Sequence, residues 1–79
     1  MMVLVKGINN GLEVEIIMIK LTKINNDEFV LNCDLIETVE ETPDTIITLN
    51  NGKKFVVKEP SQVVVQMVVD FKRRIFNRF

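Results

Sequence analysis

For most of its first 57 residues the chain alternates apolar and polar positions in short runs; beyond residue 60 its apolar residues recur every third or fourth position. The first spacing belongs to strands with one covered face, the second to an amphipathic helix. In Met18-Ile19-Lys20-Leu21-Thr22-Lys23-Ile24, Ile19 and Leu21 alternate with Lys20, Thr22 and Lys23, as in a half-buried strand. Glu28-Phe29-Val30-Leu31-Asn32 answers it. A three-residue loop at Asn25-Asn26-Asp27 sets Leu21 opposite Leu31, Ile19 opposite Cys33 and Ile17 opposite Leu35. That register is preferred to a two-residue loop at Asn26-Asp27 because it gathers one continuous apolar face. Farther on, the spacing of Ile36 and Val39 breaks strict alternation and predicts a bulge or a bent strand. Thr42-Pro43-Asp44-Thr45 is turn chemistry, since proline presets φ and aspartate bonds its own backbone.

The run from Asp44 to Val57 reads as a β-hairpin closed by Asn51-Gly52. Asn-Gly suits a type I′ turn, whose two central residues need positive φ. A two-residue loop pairs Asn50 with Lys53, Thr48 with Phe55 and Ile47 with Val56. One face then carries Ile47, Leu49 and Val56, and the other Ile46, Phe55 and Val57. Both faces would need cover, from barrel closure or from a docked helix. Residues 60–79 supply the helix, with Pro60 at its first position, Ser61 as the alternative cap, and Val64, Val68, Phe71, Ile75 and Phe79 on one face. Five valines between Val63 and Val69 lower helix propensity, so a strand through that stretch is the competing reading. The expected fold is α+β: a small antiparallel β-sheet or partly open barrel of about four to six strands built from hairpins, with one C-terminal α-helix.

Two readings stand for residues 1–17, ahead of a single domain at 18–79. Val3-Leu4-Val5 and Leu12-Glu13-Val14-Glu15-Ile16-Ile17 look like short strands around Gly7-Ile8-Asn9-Asn10-Gly11, an extra hairpin. Alternatively, Leu12-Glu13-Val14 can be encoded by TTG-GAG-GTG, a purine-rich ribosome-binding sequence just before the Met18 codon, and the stretch is then an untranslated leader read as protein. A peptide from this stretch in protein from the native host would decide for the hairpin.

Seventy-nine residues allow one domain with a marginal core, a size at which oligomerisation or docking on a partner often adds stability. Hydrophobic content of 47% argues against disorder. A lone cysteine excludes an internal disulfide and points to a reducing, cytoplasmic compartment. The absence of histidine removes the usual partner of a nucleophilic thiol, so Cys33 is expected as a small buried hydrophobe. Glu37, Glu40, Glu41 and Asp44 lack calcium-loop spacing and read as the wet face of a bent strand. Gly7, Gly11 and Gly52 match no phosphate-binding loop. The expectation is a protein that is not an enzyme and needs no cofactor or metal.

The net charge of −1 conceals a polarity along the chain. Between Ile24 and Gly52 every charge is negative, and from Phe71 onward every charge is positive. Such polarity speaks of partners and steering. The partner-binding candidates are therefore Lys72, Arg73, Arg74, Phe76 and Arg78 at the basic end, and Thr42, Pro43, Asp44 and Thr45 in the acidic turn. A basic helix end with interleaved phenylalanines suits an acidic protein groove or peripheral contact with the anionic inner face of a membrane. Nucleic acid is not expected, because the middle of the chain is acidic and Phe29 points inward, although a small nucleic-acid-binding β module is the alternative class. A self-assembling structural subunit, joined through sheet edges or the valine-rich helix as a homo-oligomer, is another.

From Met18 the chain resembles the small flagellar FlbD-like family, the swarming-motility or SwrD group. The resemblance rests on Met18-Ile19-Lys20-Leu21-Thr22, Phe29-Val30-Leu31-Asn32, Leu35-Ile36-Glu37, Thr42-Pro43-Asp44-Thr45 with Ile47-Thr48-Leu49, and Asn51-Gly52-Lys53 with Val57-Lys58-Glu59. It covers residues 18–76. It implies a non-enzymatic accessory of bacterial flagellar motility that supports motor power in swarming, through contact with the motor stator or its cytoplasmic surroundings. The resemblance carries over no site residues.

Overall fold

A computed structural model describes the backbone of residues 2–76 and the side chains of residues 7, 8, 10–12 and 18–73. Among the described residues six strands precede one helix: β1 (Met2–Asn9), β2 (Leu12–Thr22), β3 (Glu28–Asn32), β4 (Ile36–Glu41), β5 (Thr45–Leu49), β6 (Lys54–Val57) and α1 (Ser61–Phe76). They form two antiparallel three-stranded sheets, β1-β2-β3 and β4-β5-β6. At one seam the chain passes from β3 to β4 through a 3-10 turn, Cys33–Leu35, capped by the Asn32 side chain accepting the Asp34 N–H at 3.0 Å. At the other, a single bridge pairs Lys23 with Val57, and the Lys58 N–H donates to the Thr22 carbonyl at 2.8 Å. The result is a partly open barrel with α1 packed against β2 and β4.

The core is a cluster of Ile19, Leu21, Leu31, Cys33, Ile47, Leu49, Val57, Val64 and Phe71. Ile19, Leu21 and Leu31 share one face of the first sheet because they fall at alternate or opposing positions. From α1, Val64 and Phe71 are buried while Val68 is partly so, on the stripe expected from helical spacing. The stretch holding five valines is helical. Packing of that stripe outweighs the modest propensity cost of β-branched residues, typically below about 0.7 kcal/mol each.

Three turns settle the registers. Asn10 and Gly11, at φ 52° and 78°, close a two-residue loop between Asn9 and Leu12, the geometry Asn-Gly favours. The same dipeptide at Asn51-Gly52 behaves differently. The Leu49 N–H donates to the Lys53 carbonyl and the Gly52 N–H to the Leu49 carbonyl, at 2.8 and 2.9 Å, so the loop has three residues with Gly52 alone at positive φ. Ile47 therefore pairs with Phe55, not Val56, and Thr45 with Val57. This slip corrects the membership of the two faces: Thr45, Ile47, Leu49, Phe55 and Val57 share the covered one, and the half-buried Ile46 and Val56 pair on the other. Asn51 supports the longer loop by accepting the Lys53 N–H on its side chain at 2.9 Å.

The β2–β3 hairpin uses the same loop form, again one residue from its expected place. The Lys23 N–H donates to the Asp27 carbonyl and the Asn26 N–H to the Lys23 carbonyl, with Asn26 at φ 74°. Leu21 thus faces Phe29 and Ile19 faces Leu31, rather than Leu31 and Cys33; the β2–β3 pairing ends at Met18 opposite Asn32, so Ile17 does not face Leu35. The shift is two residues, so the covered face is unchanged. Asn26, a residue type that tolerates the left-handed conformation, takes the positive-φ position of the loop.

Between Ile36 and Thr38 the β4–β5 register shifts by one residue, the bulge foreseen in the spacing of Ile36 and Val39. The bulge returns Val39 and Glu41 to the face shared with Ile47 and Thr45. Glu41 is thereby aimed at the start of α1.

Candidate partner-contact surfaces

Glu41 is exposed, yet it organises one end of the molecule. Its Oε1 accepts the Ser61 backbone N–H at 2.6 Å and the Thr45 hydroxyl at 3.4 Å. Opening backbone N–H groups of a helix have no intrahelical acceptor, and here a strand twenty residues earlier supplies one. The hydrogen bond from Ser61 holds the Glu41 carboxyl below the usual carboxylate range. The Pro60 carbonyl accepts from Val63 and Val64 at 2.9 and 3.2 Å, so Pro60 occupies the cap position and Ser61 the first helical one, the reverse of the preferred expectation. Glu59 fastens the neighbouring seam by accepting the Thr22 N–H at 2.9 Å. Burial, the largest single influence, pushes its carboxyl up, but hydrogen bonds from Thr22 and from its own backbone act jointly in the other direction and its pKa is lowered.

The acidic-turn candidates divide. Thr42, Pro43 and Asp44 are exposed between β4 and β5, with the Thr42 N–H donating to the Asp44 carbonyl at 3.1 Å. The Thr42–Pro43 peptide is cis. Thr45 is 3% exposed, and its hydroxyl is engaged by Glu41. It belongs to the fold and is not a surface contact, because position 45 starts the covered face of β5.

At the basic end, Lys72 and Arg73 are exposed on α1. Lys72 reaches Asp34 at 3.9 Å, a solvated pair worth little to stability. Arg74 and Phe76 lie within α1, but their side chains fall outside the described residues, as does Arg78 altogether. Eleven residues separate Ser61 from Lys72, roughly 16 Å along a helix axis. The structure does not bring Lys72 and Arg73 to the acidic turn; they lie toward the opposite end of α1. On the helix flank away from the core, Val63, Val65 and Val69 are 44%, 48% and 40% exposed.

Cys33 is 4% exposed at the β3–β4 seam. Burial, helped by the Asp34 charge, pushes its thiol up to about 11, so it stays protonated at neutral pH and is a poor nucleophile. Phe29 and Phe55 stack with centroids 4.9 Å apart, and Lys23 lies 5.5 and 5.8 Å from their centroids. This group ties the two sheets together and uses ring faces that a nucleobase would need. Among the described residues no three histidine, cysteine or carboxylate side chains group as metal ligands.

Sequence reasoning missed Glu41 and Glu59 as clasps and Ile24, Val57, Lys58 and Pro60 as neighbours of the turn. No local signal marks them, since the partners are 20 and 37 residues apart. The arrangement defines a small α+β domain with a polar turn at one end of its helix and a cationic surface at the other. The chain belongs to the FlbD family, flagellar and swarming motility proteins, whose family model matches residues 18–76. Comparison with curated proteins and with solved structures gives no match.

Proposed function

We propose that this protein is a non-enzymatic accessory of the bacterial flagellar motor that supports motor power during swarming by protein–protein contact. The partner is the stator or its cytoplasmic surroundings, and the site of action is the cytoplasm or the inner face of the membrane. Among the described residues no helix is long and apolar enough to cross a membrane. The observation carrying the reading is the polarity of α1, with Glu41 and the acidic turn at its start and exposed Lys72 and Arg73 near its end. A rigid element with opposite charges at its two ends suits a bridging contact between two surfaces. The buried, protonated Cys33 adds no chemistry to it.

The test is swimming in a viscous medium by cells lacking the gene. Normal filaments with weak rotation, restored by the intact chain, support the motor role. A chain carrying Arg73→Glu and Arg74→Glu should keep its fold and lose rescue; full rescue by it refutes the role of the helix end. Missing filaments would refute the motor role and point to assembly or gene regulation. The exposed Val63, Val65 and Val69 favour a second, compatible reading, a homo-oligomer joined through α1. Light scattering across a concentration series decides it.

A further inference from the structure

A notch of about 350 Å³ opens where three connections converge at the acidic end of the barrel. Ile24 comes from the β2–β3 loop, Pro43 from the β4–β5 turn and Pro60 from the start of α1, and these form its walls. Val57 and Thr45, both buried, lie beneath. Glu41 and Asp44 stand at the rim. The volume lies at the small end of ligand pockets and fits one long side chain.

The electrostatics select the occupant. An anion finds the helix start taken, because Ser61 already donates to Glu41. Lys58, which also lines the notch, is engaged by the Asn26 side-chain oxygen. Among the described residues Glu41 uses Oε1 for both of its hydrogen bonds, and its second oxygen accepts none. Asp44 makes no side-chain hydrogen bond or ion pair among the described residues. Two carboxylates beside the apolar side chains of Ile24, Pro43 and Pro60 complement a cation on an aliphatic stem. Arg73 of α1 cannot provide it, since it lies roughly 18 Å along the helix from Ser61.

We propose that the notch is a docking site for one lysine or arginine side chain of a protein partner, its stem against Val57, Pro43 and Pro60 and its charged head between Glu41 and Asp44. The proposal rests on the partner-contact reading above and names the chemistry of one contact. It also gives the exposed Thr42-Pro43-Asp44 turn a definite task as a wall and rim of the site.

The test is an amide-resolved NMR titration of the intact chain with the capped peptides Ala-Arg-Ala, Ala-Lys-Ala, Ala-Glu-Ala and Ala-norleucine-Ala. The cationic peptides should give saturable millimolar shifts at the Thr45, Val57 and Ser61 amides. The other two should bind at least about fivefold more weakly, and Asp44→Asn should weaken the arginine peptide by about threefold. Asp44 is exposed and its side chain supports no contact, so that variant keeps its fold. Equal response to the glutamate peptide, no saturable shift at those amides, or unchanged binding by the variant each overturns the proposal. The motor role fails separately: a chain that binds no peptide yet restores swimming in a viscous medium refutes the notch alone, whereas one that binds but restores nothing refutes the motor role alone.

Discussion

Replacing Val57 and Val56 by alanine, one at a time, tests the register of the central hairpin. Val57 is 2% exposed and sits in the core cluster, whereas Val56 is half-buried on the other face. Each change removes two carbons. At about 0.8 kcal/mol per buried methylene, plus a cavity term, the loss at Val57 is about 2–3 kcal/mol. At Val56, where part of the side chain is already wet, it is below about 1 kcal/mol. The fall in strand propensity is similar in both and cancels in the comparison. A chain of this size has roughly 4–12 kcal/mol of stability, so the Val57 change removes a large fraction. With a urea slope of about 1 kcal/mol per molar, the two midpoints should differ by about 1–3 M in equilibrium unfolding followed by circular dichroism. Equal midpoints, or a lower one for Val56→Ala, would mean that the Asn51-Gly52 loop has two residues and that β6 presents its other face.

Three further outcomes follow from single groups. Gly52 sits at φ 87°, and a methyl group on its Cα would meet nothing within 4 Å, so Gly52→Ala should cost only the left-handed strain, about 1–2 kcal/mol, and Gly52→Asn less, by thermal unfolding. The Glu41 carboxyl is held below its ordinary value of 4.5, so its contribution is present above that pH and is lost as the pH falls through the lower folded-state value. Glu41→Gln should therefore melt earlier than the parent at neutral pH, and the gap should close in acid; a gap independent of pH would refute the carboxylate cap. Cys33, with its thiol pushed up to about 11 and buried, should resist alkylation at pH 8 until denaturant opens the barrel, a contrast read directly by mass spectrometry.

Much of the fold could be read locally because it is written locally. Alternation at Ile19 and Leu21 marked the covered face of β2, and it survived a two-residue error in pairing because the strand period is two. The spacing of Ile36 and Val39 announced the bulge. Val64, Val68 and Phe71 announced the buried stripe of α1 against the propensity of its valines. The error at Asn51-Gly52 had a different character. Asn-Gly is compatible with a two-residue and a three-residue loop, and the dipeptide adopts the first form at Asn10-Gly11 and the second at Asn51-Gly52. Only the choice of which β6 side chains to bury separates them, and that choice belongs to the core as a whole. The candidate turn at Thr42-Pro43-Asp44 was legible from its residues; the notch beside it was not.

By itself the sequence determined the class of fold, the order of its hairpins from Met18 onward, the helix, the family to which the chain belongs and the segregation of acidic from basic charge. Those properties depend on residue type and on spacing within a dozen positions. The tertiary structure decided the register of the central hairpin, the withdrawal of Thr45 from the surface, the clasp of Glu41 on Ser61 and the meeting of Ile24, Pro43 and Pro60 around one notch. Each of these joins residues distant in the chain through closure of the barrel. No short-range pattern encodes such a contact, because its energy arises only once both sheets and the helix are packed.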